Sequence, residues 1–301
     1  MFKKELIIGA IAGDIIGSVY EWHNVKTMNF DLFCSHSKFT DDSVLTLATM
    51  DAIMNQNKYS STYQLFGRNY PNRGYGGHFR SWIQSENPKP YNSWGNGSAM
   101  RVSPIGWYGN SIEEVLAEAK KSAECTHNHP EGIKGAQSVA AAVFLARKGK
   151  SKEEIRSFIV DTFGKTNGCN SRIKIQTNGK VRVKRDYDDF DSNDEKEFLD
   201  YRLQRTIDEI RPYYTFDVTC EGSVPVAIIA FLESKNYENA IRLAISIGGD
   251  SDTIACITGG IAEAYYQEIP DNIIENILKI LPNELIGIVD EFSKKYRAKS
   301  K

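Results

Sequence analysis

Two stretches far apart in the chain crowd the same residue types in front of an apolar run. In KFTDDSVLTLATMDAI, Thr40, Asp41, Asp42 and Ser43 precede Leu45, Ala48 and Ala52, which share one helical face. In AISIGGDSDTIACITGG, Gly248, Gly249, Asp250, Ser251, Asp252 and Thr253 precede an equally apolar segment. One Ser, Thr or Asp is enough to cap a helix, because a single side-chain oxygen accepts from the free N–H groups of the first turn. Adjacent carboxylates repel and gain little from sharing one helix end. A cation relieves that repulsion. Thr40, Asp41 and Asp42, meeting Asp250, Asp252 and Thr253, offer six oxygen donors and neither sulfur nor imidazole. Such a set suits Mg2+ or Mn2+ better than zinc. Two ions about 3.5 to 4 Å apart would orient a hydroxyl or activate water. Ser251 is left as the local cap of its helix.

Three further stretches carry candidates. In WGNGSAMRVSPIG, Gly95 and Gly97 open room for a ligand, and Asn96 and Ser98 can reach phosphate or ribose oxygens, with Met100 beside them. The stretch is neither a dinucleotide-binding nor a Walker glycine pattern. Arg101 is read either as a phosphate partner or as part of a buried network. In CTHNHPEG, His127 and His129 stand two residues apart and would point away from each other on a helix, which argues against a histidine-held metal. Glu21 is either a surface glutamate or a carboxylate available for proton transfer. His78 and Arg80 in GGHFR receive no functional role.

The elements that must position these residues are mostly helical. Apolar residues recur at helical spacing in Ile112, Val115, Leu116 and Ala119, in Ala240, Leu243, Ala244 and Ile247, in Ile274, Ile277, Leu278 and Leu281, and in Leu285, Ile288, Val289 and Phe292. Residues 132–149 and 222–233 are apolar nearly all round, as central helices are. One segment departs from this. In RIKIQTNGKVRVKRDY, Ile173, Ile175, Val181 and Val183 alternate with polar residues around Asn178-Gly179, which predicts a β-hairpin near 172–185 inside an insertion of about 168–197. Its six cations and the acidic run behind it read either as a solvated insertion or as a recognition arm for a protein or nucleic acid. No linker composition divides the chain, so residues 1–301 are expected to form one domain.

Composition bounds the partners. With 37 basic and 39 acidic residues in 301, the net charge of -2 creates no global field toward nucleic acid or anionic lipid. The five scattered cysteines show no C-x-x-C pair, which suggests a reducing compartment rather than a disulfide scaffold. The N-terminal MFKKELIIGAIAGDIIGS imitates a signal peptide, but Glu5 and Asp14 interrupt it. No stretch approaches the roughly 20 apolar residues of a membrane span. A cytoplasmic protein is expected.

The motifs GAIAGDIIGSVYE, TDDS, GNGSAMRVSPIG, THNHPEGIKGAQ, GSVPVAIIAF and GGDSDTIACITGGIAEAYY occur in the order and type of the ADP-ribosylglycohydrolase family, which includes the dinitrogenase reductase-activating glycohydrolase. The resemblance runs from about Gly9 to Tyr266, the hairpin segment excepted. It implies an all-α, compact, orthogonal multi-helix domain with a centre of two Mg2+ or Mn2+ ions. It also implies hydrolytic removal of ADP-ribose from a modified protein side chain or small acceptor. By the resemblance the ions fall to Thr40, Asp41, Asp42, Asp250, Asp252 and Thr253. Glu21 matches a glutamate placed beside the distal ribose, and Thr126 with His127 a pair near the ligand. Glu21, Asp41 and Asp252 are the catalytic candidates; Gly95, Asn96, Gly97, Ser98, Met100 and His127 are the substrate contacts. Two other readings remain open on the same residues: a two-metal phosphoester or pyrophosphate hydrolase, and a non-catalytic ADP-ribose-binding or toxin-neutralising module.

Overall fold

The computed structural model describes residues 5–164, 173–175, 181–183 and 200–297. Among these the chain runs through helices α1 (Gly9–Gly17), α2 (Asp41–Asn55), α3 (Tyr59–Asn69), α4 (Gly77–Gln84), α5 (Ser103–Tyr108), α6 (Ile112–Glu124), α7 (Pro130–Arg147) and α8 (Lys152–Phe163). After the insertion follow α9 (Ile207–Ile210), α10 (Cys220–Glu233), α11 (Tyr237–Ser246), α12 (Ser251–Tyr266), α13 (Asp271–Ile280) and α14 (Asn283–Tyr296). The expected all-α class is what forms, and the expected hairpin is its small exception. Strands β1 (Ile173–Ile175) and β2 (Val181–Val183) pair antiparallel, with Ile173 opposite Val183 and Ile175 opposite Val181. The Asn178-Gly179 turn, most of the hairpin's cations and the acidic run lie outside the described residues.

Most of the periodic positions are buried, and Ile112, Leu116, Leu278 and Ile288 are half-buried against the core. Helix α6 buries Val115 and Ala119, α11 buries Ala240, Leu243 and Ala244, α13 buries Ile274 and Ile277, and α14 buries Leu285, Val289 and Phe292. Helix α10 is buried continuously from Gly222 to Phe231, so its apolar character on every side is used. Among the described residues no helix is long and apolar enough to cross a membrane.

The closest helix contact is the one that builds the site. Gly9, Gly13 and Gly17 are four residues apart and share one face of α1, which lies antiparallel along α12. A Cβ at Gly13 would fall 2.0 Å from the Ala255 carbonyl oxygen, and one at Gly17 would fall 2.5 Å from the Asp252 Cα. Backbone therefore meets backbone, and only glycine fits. The far end is fixed by buried Glu263, which accepts from the Gly9 amide at 2.7 Å and the Ile8 amide at 3.1 Å, and is paired with Arg297 at 2.9 Å. The consequence is local: the C-terminal half of α1, carrying Asp14, is held against the first turn of α12, carrying Asp252.

Candidate active site

Asp14 is fully buried and anchors the start of α2. Its carboxylate accepts from the Thr40 amide at 2.9 Å, the Thr40 hydroxyl at 2.6 Å, the Ser43 amide at 3.1 Å and the Ser43 hydroxyl. Thr40 is the N-cap, its Oγ1 accepting from the Asp42 amide at 3.3 Å, and the Asp41 amide donates to the Arg73 carbonyl at 2.7 Å. With cap and amides satisfied in this way, the Asp41 and Asp42 side chains are not needed for the helix end.

The start of α12 is shaped by backbone. Gly248 and Gly249 both adopt φ +76°, a left-handed conformation that glycine takes without strain. Asn24 clamps the turn, its Oδ1 accepting from the Gly249 amide at 2.7 Å and its Nδ2 donating to the Gly249 carbonyl at 3.0 Å. The Lys26 ammonium donates to the carbonyls of Ile247 and Tyr214. Asp250 takes the N-cap position without a side-chain capping bond. The expectation that Ser251 caps this helix is corrected: Ser251 lies inside the first turn, and its hydroxyl donates to the Gly17 carbonyl at 3.2 Å, across the α1 contact. Asp250 is free to face the cleft.

The two helix starts meet. Thr253 Oγ1 donates to Asp42 Oδ2 at 3.3 Å. Asp14, Asp42 and Asp252 each offer an oxygen within 4.8 Å of the others, and so do Glu21, Asp250 and Asp252. Asp41 stands beside these groups, its Oδ1 3.1 Å from where a Cβ on Gly74 would sit. Burial pushes the carboxyls of Asp41, Asp42 and Asp252 well above their ordinary range, and neighbouring carboxylates push them further. Burial also raises Asp14 and Asp250 against the hydrogen bonds they accept. Glu21, half-buried, is raised to about 7 by desolvation and then by Asp250.

These carboxylates line one wall of a cleft of about 470 Å³, within the usual range for small-molecule sites. Thr40, Asp41, Asp42, Asp250, Asp252, Thr253 and Glu21 all face it, as do Gly95, Asn96, Gly97, Met100 and His127. Asn96 is more committed than a free phosphate donor: its Nδ2 donates to Asp250 Oδ2 at 2.6 Å and Ser223 Oγ at 2.9 Å. Ser98 turns inward, its hydroxyl donating to the Gly132 carbonyl at 2.7 Å.

His127 is oriented from behind. Buried Arg101 donates to the Thr126 hydroxyl at 3.0 Å, and that hydroxyl lies 2.7 Å from His127 Nδ1. Arginine can only donate, so the Thr126 hydroxyl accepts from it, and the same hydroxyl holds Nδ1 from behind, leaving Nε2 toward the cleft. Burial, then the Arg101 charge, hold the imidazole well below its ordinary pKa, hence neutral. Nε2 lies 3.2 Å from the position a Gly97 Cβ would take, at the cleft. Arg101 belongs to this buried network, stacked 4.3 Å over the Tyr63 ring, and it also lines the cleft, with its Nε and Nη1 lacking a hydrogen-bond partner. His129 caps α7, accepting from the Glu131 amide at 3.1 Å.

Sequence reasoning missed Asp14 and the segment 72–79, of which Arg73, Gly74 and His78 face the cleft. Asp14 had a visible signal, a lone carboxylate inside an apolar and glycine-rich run. The 72–79 segment had none beyond its glycines.

The chain matches the ADP-ribosylglycohydrolase family over residues 4–301. It is 28% identical to "ADP-ribosylhydrolase ARH3" of Mus musculus, with 88% of this chain and 84% of that protein covered. It is also 28% identical to the Homo sapiens protein of the same name, with 88% and 86% covered. A solved structure described as "ADP-ribosylglycohydrolase-related protein complex" superposes with a TM-score of 0.64 at 18% identity, covering 97% of this chain and 96% of that one, which shows a common fold. The chain belongs to the ADP-ribosylglycohydrolase family, glycosidases that act on ADP-ribose linkages.

Proposed function

We propose that this protein is a divalent-cation-dependent hydrolase that removes ADP-ribose from a modified protein side chain or a small acceptor, cutting the glycosidic bond at the distal ribose. The observation that carries the reading is the convergence of the Asp14–Asp42–Asp252 and Glu21–Asp250–Asp252 oxygens within one cleft. Among the described residues no ion pair involves any of these carboxylates. Uncompensated buried carboxylates favour a bound cation, and Asp42 Oδ1, buried without a hydrogen-bond partner, is a free ligand atom. An all-oxygen donor set fits Mg2+ or Mn2+. Two triads that share Asp252 suit two ions; the family resemblance assigns their ligands to Thr40, Asp41, Asp42, Asp250, Asp252 and Thr253, all of which face the cleft. Bound there, such ions supply Lewis-acid polarisation and fix ribose hydroxyls.

The remaining work falls to side chains of this protein. The neutral His127 presents its Nε2 to the substrate lying over Gly95 and Gly97, leaving the distal ribose against the carboxylates. Cleavage at the anomeric carbon builds oxocarbenium charge, which the carboxylates stabilise. Glu21, half-buried where this group opens to solvent, is placed to move the proton between water and the leaving group. Asp41 and Asp252 orient the attacking water. We place the protein in the cytoplasm on its free thiols at Cys34, Cys125, Cys220 and Cys256.

A panel of defined substrates, linked through arginine, serine, a nucleobase or an acetyl ester, tests this with chelator and then with Mg2+ or Mn2+. Intact ADP-ribose is the expected product, and only with metal. Release of AMP instead would identify a pyrophosphate hydrolase, and undiminished turnover by chelated Asp252→Ala would remove the mechanism.

A further inference from the structure

One exposed aromatic pair borders the chemistry above, its Trp22 side chain also hydrogen-bonding the Glu21 carboxylate. Trp22 follows Glu21 directly and is 73% exposed, yet its ring stacks on Phe216 with centroids 5.2 Å apart and planes 24° apart. Phe216 is itself 42% exposed and Val218 51%. Trp22 and Val218 face the cleft, so the pair continues its rim outward from the end where Glu21 meets Asp250 and Asp252. The backbone beneath is held firmly. Asn24 clamps Gly249, the Val218 carbonyl accepts from the Asn96 amide at 2.8 Å, and buried Asp217 accepts from the Thr219 amide and hydroxyl, each at 2.7 Å. Aromatic rings on a fixed backbone offer contact area at small entropic cost when something covers them.

We propose that Trp22 and Phe216 form the acceptor-side docking platform, and that its occupant is the polypeptide flanking the modified side chain. This rests on the hydrolase reading above. Continuity supports it: the bond is cut at the carboxylate end, so the leaving group emerges beside Glu21 and therefore across Trp22. Reach supports it as well, because Phe216, with its ring centroid 5.2 Å from that of Trp22, does not itself line the cleft, so a polypeptide that continues past Trp22 meets it and an acetyl- or phosphate-sized acceptor does not. Charge selects among macromolecules. Residues 21–24 and 213–219 contain neither Lys nor Arg, and exposed Lys38, which faces the cleft beside Glu21, is a single cation against the several that a nucleic-acid backbone needs, whereas apolar side chains and peptide planes lie readily on aromatic faces.

The test compares Phe216→Ala, which leaves the Trp22 hydrogen bond to Glu21 in place, with the unaltered metal-loaded enzyme on three substrates: an ADP-ribosylated peptide, O-acetyl-ADP-ribose and an ADP-ribosylated oligonucleotide. Truncating an interface aromatic is expected to raise KM for the peptide about tenfold. Phe216→Ala should leave kcat/KM for O-acetyl-ADP-ribose within about twofold, and Phe216→Tyr should retain most of the peptide's affinity. Equal losses on all three substrates, no loss on the peptide, or a loss confined to the oligonucleotide would each overturn the platform. If the unaltered enzyme leaves all three intact, the hydrolase reading is what fails. Calorimetric binding of the ADP-ribosylated peptide against free ADP-ribose then decides the platform, which requires Phe216→Ala to weaken the peptide alone.

Discussion

Replacing Gly13 with alanine adds one methyl group at the α1–α12 contact. That methyl would sit 2.0 Å from the Ala255 carbonyl oxygen, 2.5 Å from its carbon and 2.8 Å from the Cys256 amide nitrogen. All three atoms are backbone, so no side chain can swing aside, and the helices must part by more than about 1 Å to restore ordinary contact. Overpacking of this kind costs about 3 kcal/mol at the rigid end of its range. Alanine returns about 1 kcal/mol through better helix propensity, leaving a net loss of about 2 kcal/mol. An unfolding entropy of about 2.1 cal/mol/K per residue over 301 residues makes that a fall of about 3 °C in melting temperature. Function should suffer more. Asp14 lies on the displaced helix and Asp252 on the other, and misplacement by about 1 Å in a positioned site costs about 100-fold in rate.

Gly287→Ala is the matched control. It lies in α14 with nothing within 4 Å of the added methyl, so only propensity acts and stability should rise by up to about 1 kcal/mol. Melting curves and Mn2+ calorimetry on the two variants give opposite signs for stability and a loss of metal affinity only for Gly13→Ala. A Gly13→Ala protein with unaltered melting temperature and metal affinity would refute the claim that this contact sets the site.

Asp14→Asn keeps the shape of the buried carboxylate but removes its charge and part of its acceptor capacity toward Thr40 and Ser43. It should weaken Mn2+ binding about 10- to 100-fold, as loss of a supporting partner does, with the helical circular dichroism preserved. Unchanged affinity would confine Asp14 to capping. The pH dependence of the metal-free protein has a defined sign. Asp14, Asp41, Asp42, Asp250, Asp252 and Glu21 are all raised, Glu21 to about 7, so the folded state retains protons that the unfolded chain releases above about pH 4. Stability contributed by these groups therefore falls as pH rises from about 4 through 7 and beyond. His127, lowered in the fold, acts oppositely below about pH 6.5, as one group against many. Chelated protein should melt lower at pH 8 than at pH 5, and Mn2+ should shrink that difference. A chelated melting temperature that rises over this interval would contradict the buried carboxylate cluster.

How much of this was legible follows from where each constraint resides. TDD and GDSDT could be read because each helix start carries more carboxylates than a cap uses, and that surplus is visible in order along the chain. The helices were legible for a similar reason, since periodic burial writes itself into spacing. What the sequence did not reveal is how polar groups are paid off between segments. Asn96 looked like a phosphate donor but donates to Asp250, 154 residues away, and Ser98 looked like a ligand contact but serves the Gly132 carbonyl. Ser251 looked like a cap because its type favours one, whereas the left-handed turn at Gly248 and Gly249, held by Asn24, moves the cap position to Asp250. Asp14 shows the more general difficulty. A lone aspartate among isoleucines and glycines looks like an interruption until the glycines are seen to be a contact face. The same three glycines that bring α1 onto α12 also bury that aspartate where Thr40 and Ser43 can satisfy it. Spacing therefore carried two meanings at once, a helix and its partner, and only the packing separates them.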